Sequence, residues 1–174
     1  MLARLAEERS GQVQSVAKVL ASSSGRLLLT GVGKSATVAR GVAELFAASG
    51  TPAYFLHPTE ALHGDLGMVA PGDEVVVVSW SGQTGEVLRL LPHLARRPAR
   101  TTALVGDGGS PLAHASDLVL SAECPIEQSV GPPTTATLAL TALGHALVLS
   151  VFEAKSHPTD LVVDLHPATW ERAL

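Results

Sequence analysis

The 174 residues include 46% hydrophobic against 16% charged side chains, a balance that excludes a disordered chain and supplies a substantial core for one domain. Aromatic residues make up only 3% and the net charge is −4, which argues against a nucleic-acid partner while leaving room for a local basic pocket. The single cysteine, Cys124, cannot close an intramolecular disulfide and fits a reducing compartment.

The N-terminal stretch is charged and amphipathic and has no secretory apolar core. Leu5, Val13, Val16, Val19 and Leu20 predict a helix over about 2–22, broken by Gly25. Arg26 to Thr30 reads as a first strand that runs into Gly31, Val32, Gly33, Lys34 and Ser35. A helix to about Ser49 follows, with Gly50 as its stop. Thr51 to Leu56 is a second short strand, leading into a polar loop from His57 to Gly67.

Four consecutive valines, Val75 to Val78, predict a third strand buried on both faces, as in a parallel sheet covered by helices. It hands over through Ser79, Ser81, Gly82, Gln83, Thr84 and Gly85 to a helix from Glu86 to about Arg96, which Pro92 should kink or end early. Thr101 to Val105 is a fourth strand, Pro111 to Ala115 a short helix, and Asp117 to Ser121 a fifth strand. After a loop from Cys124 to Pro133, Thr134 to Phe152 runs for nineteen residues without Asp, Glu, Lys or Arg. That length would span a bilayer, but its threonines, Gly144, His145 and Ser150 favour a helix buried between the sheet and a partner surface. The expectation is a cytoplasmic protein without a membrane partner. Strands alternating with helices imply a single three-layer α/β domain over 1–174, its core at about 26–167, with a parallel sheet of about five strands. Ligands in such sheets bind beyond the carboxyl ends of the strands.

Hydroxyls and backbone N–H groups meet in the loop from Ser79 to Thr84, where a strand passes to a helix N-terminus. An anion suits that place, because the N–H groups and the helix dipole both favour negative charge. The loop holds no Lys or Arg, which points to a small phosphate on neutral donors; the alternative is an ordinary turn with serines capping and glycines bending. Gly31 to Ala36 matches a GxGxxA dinucleotide pattern, yet no acidic residue ends the second strand to hold a ribose, and no Walker A glycine precedes it. Gly33, Lys34 and Ser35 fit a small phosphorylated ligand better than a nicotinamide cofactor; a tight turn with a solvated lysine stays open. His57, Glu60, His63 and Asp65 carry zinc-compatible groups at a spacing that matches no closed structural site, so substrate contact or loop ordering is expected rather than a required metal. Glu86 is either a general acid–base or a helix-dipole carboxylate. Thr134, Thr135 and Thr137 offer a second phosphate contact or a cap.

Together GVGKSA (Gly31 to Ala36), TPAYFLHPTEALHGDLGMV (Thr51 to Val69), SWSGQTGEV (Ser79 to Val87), ECP (Glu123 to Pro125), PPTTATL (Pro132 to Leu138) and LHP (Leu165 to Pro167) resemble the sugar isomerase (SIS) domain, and within it the arabinose 5-phosphate isomerases. The resemblance covers most of Arg26 to Pro167 and implies a flavodoxin-like fold and an aldose–ketose isomerase without a redox cofactor. It implies that Ser79, Ser81, Gln83, Thr84, Thr134 and Thr135 hold a phosphate, and that Lys34, Glu86 and His166 fall on the family's catalytic lysine, glutamate and histidine. His63 falls on a family histidine near the site. The family's usual tetramer would make the uncharged helix an interface. The chain also departs from the pattern. A family glutamate falls on Ala122, leaving Glu123 one step away as the candidate catalytic carboxylate. Gln83 stands for another glutamate, Trp80 for a small polar residue, and Ala168 and Thr169 for a Gly-Gly pair. No CBS repeats follow in this sequence. Two alternatives stay open: another SIS isomerase, such as one acting on hexulose 6-phosphate, and a phosphosugar sensor that catalyses nothing.

Overall fold

The computed structural model describes residues 2–124 and 133–170. Most of the loop expected from Cys124 to Pro133, and the last four residues of the sequence, lie outside the described residues.

Five parallel strands form one sheet in the order β2-β1-β3-β4-β5: β1 (Leu27–Gly31), β2 (Ala53–Phe55), β3 (Glu74–Ser79), β4 (Arg100–Val105) and β5 (Leu118–Ser121). The order reverses between β1 and β3, which makes that gap the switch point where a ligand crevice opens. Period-two alternation sorts the strand side chains onto two faces. Leu27, Leu29, Val76, Val78, Leu104 and Leu120 pack under α1 (Leu2–Ser22), α2 (Lys34–Ala48) and α6 (Thr134–Lys155). Leu28, Val75, Val77, Ala103 and Val105 pack under α3 (Pro58–Leu62), α4 (Gly85–Leu94) and α5 (Pro111–His114). Burial on both faces is the reason the valine run needs no polar alternation, and all four valines are fully buried.

Two stretches differ from the sequence reading. The expected loop from His57 to Gly67 contains α3 and a 3-10 turn over Asp65–Met68. His57 caps α3 by accepting Thr59 N–H on Nδ1 at 3.2 Å, and Pro58 supplies the first helical position. A five-residue helix is too short to show a hydrophobic period. The short apolar piece near Leu161 belongs to α7 (Thr159–Leu165), followed by α8 (Pro167–Trp170). Pro92, expected to disturb its helix, is tolerated inside α4, which ends less than a turn later at Leu94.

α6 is long and apolar enough to cross a membrane by length and composition alone. Ala139, Leu140, Leu143, Leu147 and Val151 are nevertheless buried against the rest of the domain. Gly144 meets α2 so closely that a Cβ there would collide with the Val42 side chain. It is a core helix of an α/β layer. Its other side leaves Leu138 and Leu149 exposed at 48% and 64%.

The amino edge of the sheet is closed by its own polar groups. Asp73 accepts hydrogen bonds from Arg26 N–H at 2.9 Å, from the Arg26 guanidinium at 2.7 Å and from Ala70 N–H at 2.8 Å. Burial pushes its pKa up, but the hydrogen bond from Arg26 and those from the backbone outweigh burial, and the carboxyl is held below its ordinary value. Asp117 accepts Thr101 N–H and Oγ1–H at 2.7 and 2.9 Å. Glu74 sits beside Arg100 at 3.7 Å, and its Oε2 has no hydrogen-bond partner. Burial raises its pKa, and Arg100 and the Ser23 hydroxyl offset this only in part.

Candidate active site

In a parallel sheet every following helix starts at the carboxyl edge. α2, α4 and α6 therefore begin together, and three positive dipole ends point into one region. None of these three helices has a side-chain hydrogen bond at its N-cap, whereas the short α3 and α5 are capped by His57 and Ser110.

At α4 the serine loop is held before any ligand arrives. Ser79 is buried, and its hydroxyl shares a 2.9 Å hydrogen bond with Thr84 Oγ1. Ser81 Oγ accepts Gln83 N–H at 3.2 Å. Gly82 has φ 59, a left-handed conformation that favours glycine, and lies so close to Ser110 that a side chain would collide with it. Its carbonyl accepts Leu112 N–H at 3.0 Å, anchoring the loop to α5. Glu86, half-buried, stands in the first turn of α4.

Two clefts open on this edge. One, of about 270 Å³, is lined by Lys34 and Ser35 at the start of α2 and by Pro133, Ala136 and Thr137 at the start of α6. Gly33, with φ 59, turns the chain there so that Lys34 enters α2 at its first residue. The other, of about 410 Å³, is lined by Ser81, Gln83, Gly106, Asp107, Glu123 and Cys124. Trp80 lines both.

The expected residues are thus only partly gathered. Lys34 and Ser35 share the first cleft, and Ser81, Gln83 and Glu123 the second, with Ser79, Thr84 and Glu86 on the connecting loop and first turn. Glu123 faces its cleft through a left-handed backbone (φ 48), and its carboxylate accepts Gly108 N–H at 2.7 Å. Ala122, where the family carries its glutamate, is buried under α1, α2 and α6. Thr134 and Thr135 begin α6 but line neither cleft, whereas Thr137 does, its hydroxyl donating to Pro133 O at 2.6 Å. His63 is exposed at the end of α3 and lines neither cleft. Among the described residues no three His, Cys, Asp or Glu side chains gather closely enough to hold a metal ion.

His166 is farthest from this region. α6 carries the chain about 33 Å, at 1.5 Å per residue, away from the clefts. α7 then packs at the far end of α2, where a Cβ on Gly50 would touch Leu161 and Leu165. His166 follows directly, with Nδ1 2.8 Å from Val162 O. Within one chain it lies at the opposite end of the sheet from the serine loop. Trp80 and Asp107 were not among the expected site residues; Trp80 stood out only as a departure from the small polar residue of the family pattern, and Asp107 carried no motif.

The SIS domain family matches residues 20–150. Arabinose 5-phosphate isomerase KpsF of Escherichia coli O6:H1, strain CFT073, is 37% identical over 163 residues, 91% of this chain and 49% of its own. Arabinose 5-phosphate isomerase KdsD of Pseudomonas aeruginosa is 36% identical over 155 residues, 86% of this chain and 47% of its own. The chain spans about half the length of these curated relatives. The structure of Escherichia coli CFT073 c3406 in complex with arabinose 5-phosphate superposes with a TM-score of 0.85 at 34% identity, covering 95% of this chain and 92% of that one. A matched family over most of the chain, the five-stranded parallel sheet and the serine loop at its switch point lead to one conclusion: the chain belongs to the SIS domain family.

Proposed function

We propose that the protein is an aldose–ketose isomerase of a phosphorylated sugar, interconverting ribulose 5-phosphate and arabinose 5-phosphate. The observation that carries this reading is the N-terminus of α4, where Ser79, Ser81 and Thr84 gather hydroxyls at a helix end without a side-chain cap and Glu86 stands in the same turn. A phosphate held there by hydroxyls, N–H groups and the helix dipole sets the sugar carbons beside Glu86.

The reaction moves one proton between neighbouring carbons. Glu86 takes it from the carbon next to the carbonyl as the carbonyl oxygen gains a proton, which gives the enediol; the neighbouring hydroxyl then gives up its proton as the carbon proton returns to the former carbonyl carbon. Lys34, at the positive end of α2, stabilises the oxygen on which negative charge develops. Glu123 is the second carboxylate at the cleft. His166 reaches such a site from another copy of the chain, and the exposed Leu138 and Leu149 on α6 give that copy an apolar seat. We therefore read the protein as a homo-oligomer, with a tetramer as the expected state, and as cytoplasmic.

The direct test is to supply ribulose 5-phosphate and follow arabinose 5-phosphate. The subunit arrangement has its own test: inactive Glu86→Gln and His166→Asn proteins, unfolded and refolded together, should regain about a quarter or more of wild-type turnover, since mixed assemblies contain sites intact in both residues. No recovery would mean that His166 does not reach the site from another copy. A second reading, a phosphosugar binder without turnover, is favoured by Glu123 being engaged by Gly108 N–H; binding without product would support it.

A further inference from the structure

Among the described residues Trp80 is the one side chain that lines both clefts, and it is held from three sides. Its carbonyl accepts Gly106 N–H at 2.9 Å. A Cβ on Gly106 would lie 2.8 Å from Cδ2 and Cε2 of the indole, so the ring rests against bare backbone. The indole also packs, half-buried, against the apolar layer under α1, α2 and α6. A ring fixed in this way does not swing aside for a ligand. Lys34 lies on one side of it and Ser81, Gln83 and Glu123 on the other.

We propose that Trp80 is the specificity-determining wall of the site, selecting the sugar phosphate by size; this rests on the isomerase reading above. A ligand anchored by its phosphate on the serine loop must run its carbons along the indole face. The C–H edges of a sugar pack well on such a rigid apolar surface. Because the indole lines both clefts, it stands between them, so a short chain is accepted and a longer one is turned away. Asparagine at this position would remove the wall and merge the clefts, whereas phenylalanine would keep an aromatic face.

The experiment compares kcat/KM for ribulose 5-phosphate and fructose 6-phosphate in the wild type, Trp80→Asn and Trp80→Phe, with calorimetric binding of both sugar phosphates. Wild type should favour the pentose. Trp80→Asn should shrink that preference by about tenfold or more, the order that one carbon's worth of pocket space commands. Trp80→Phe should retain most of it. An unchanged preference in a folded Trp80→Asn protein would overturn the proposal while leaving the isomerase reading intact. A wild type that binds neither sugar phosphate would remove both. Should Trp80→Asn not fold, a Trp170→Phe protein carries Trp80 as its single tryptophan. Quenching of its fluorescence by saturating ribulose 5-phosphate supports the wall, and unaltered fluorescence with bound ligand overturns it.

Discussion

The two edges of the sheet use the same kinds of residue to opposite ends. At the amino edge, Arg26 pairs with Asp73, Arg100 with Glu74 and Thr101 with Asp117, and the carboxylates of Asp73 and Glu74 are buried there. At the carboxyl edge, Lys34, Ser81, Gln83 and Glu123 line open clefts beside helix ends without side-chain caps. At the amino edge the polar groups of Arg26, Asp73, Thr101 and Asp117 answer each other and contribute stability, while buried Glu74 keeps one oxygen unanswered. The carboxyl edge is left to answer a ligand. Direction explains the division, since parallel strands send every helix N-terminus to one edge and every helix C-terminus to the other.

The largest effect should come at the open edge. Glu86→Gln is expected to lower kcat by about a hundredfold to ten-thousandfold, the range for a lost general base, with little change in Tm or in phosphosugar affinity. Steady-state kinetics beside calorimetry read both; near-normal turnover would remove Glu86 from the chemistry. At the closed edge the signs reverse. Asp73→Ala strands the N–H groups of Arg26 and Ala70 and should cost about 2–3 kcal/mol of stability, read as a lower urea midpoint. Its kcat per folded molecule should stay as in the wild type, and a fall in kcat would dissolve the contrast between the edges.

The smallest effect is a pH dependence confined to the closed edge. Asp73 has a lowered pKa in the folded state, so its contribution is present above its unfolded pKa and is lost as pH falls through the folded value. Glu74 has a raised one, so its contribution is present at low pH and is lost as pH rises through the folded value. Glu74→Gln should therefore raise Tm slightly at about pH 8, with the gain vanishing towards about pH 4, below the ordinary carboxylate value. A variant less stable than wild type throughout would mean that the contact with Arg100 outweighs the burial of the charge.

Much of the fold was legible because its signals are local. Val75 to Val78 require a strand covered on both sides, Gly50 ends a helix, and each strand is followed by loop residues and an apolar period. α3 escaped because five residues hold little more than one helical turn, and α7 because three apolar residues in a row suit a strand as well as a helix. At the site, Lys34, Ser79, Ser81, Thr84 and Glu86 are legible because they fall within two short runs at strand ends. Glu123 stands one step from the position at Ala122 where the resemblance puts a glutamate; its left-handed backbone faces the cleft while Ala122 turns to the core.

What the sequence determined by itself was the layer order and the chemistry of the serine loop, since both follow from periodicity and from which residue types end a strand. Only the tertiary structure decided which groups share a space. It set Trp80 between two clefts, because the glycine that seats the ring is twenty-six positions further along the chain. It also carried His166 to the far end of the molecule, because the helix before it, α6, spans the full height of the sheet. Distances between residues remote in sequence are set by packing, and no local pattern encodes them.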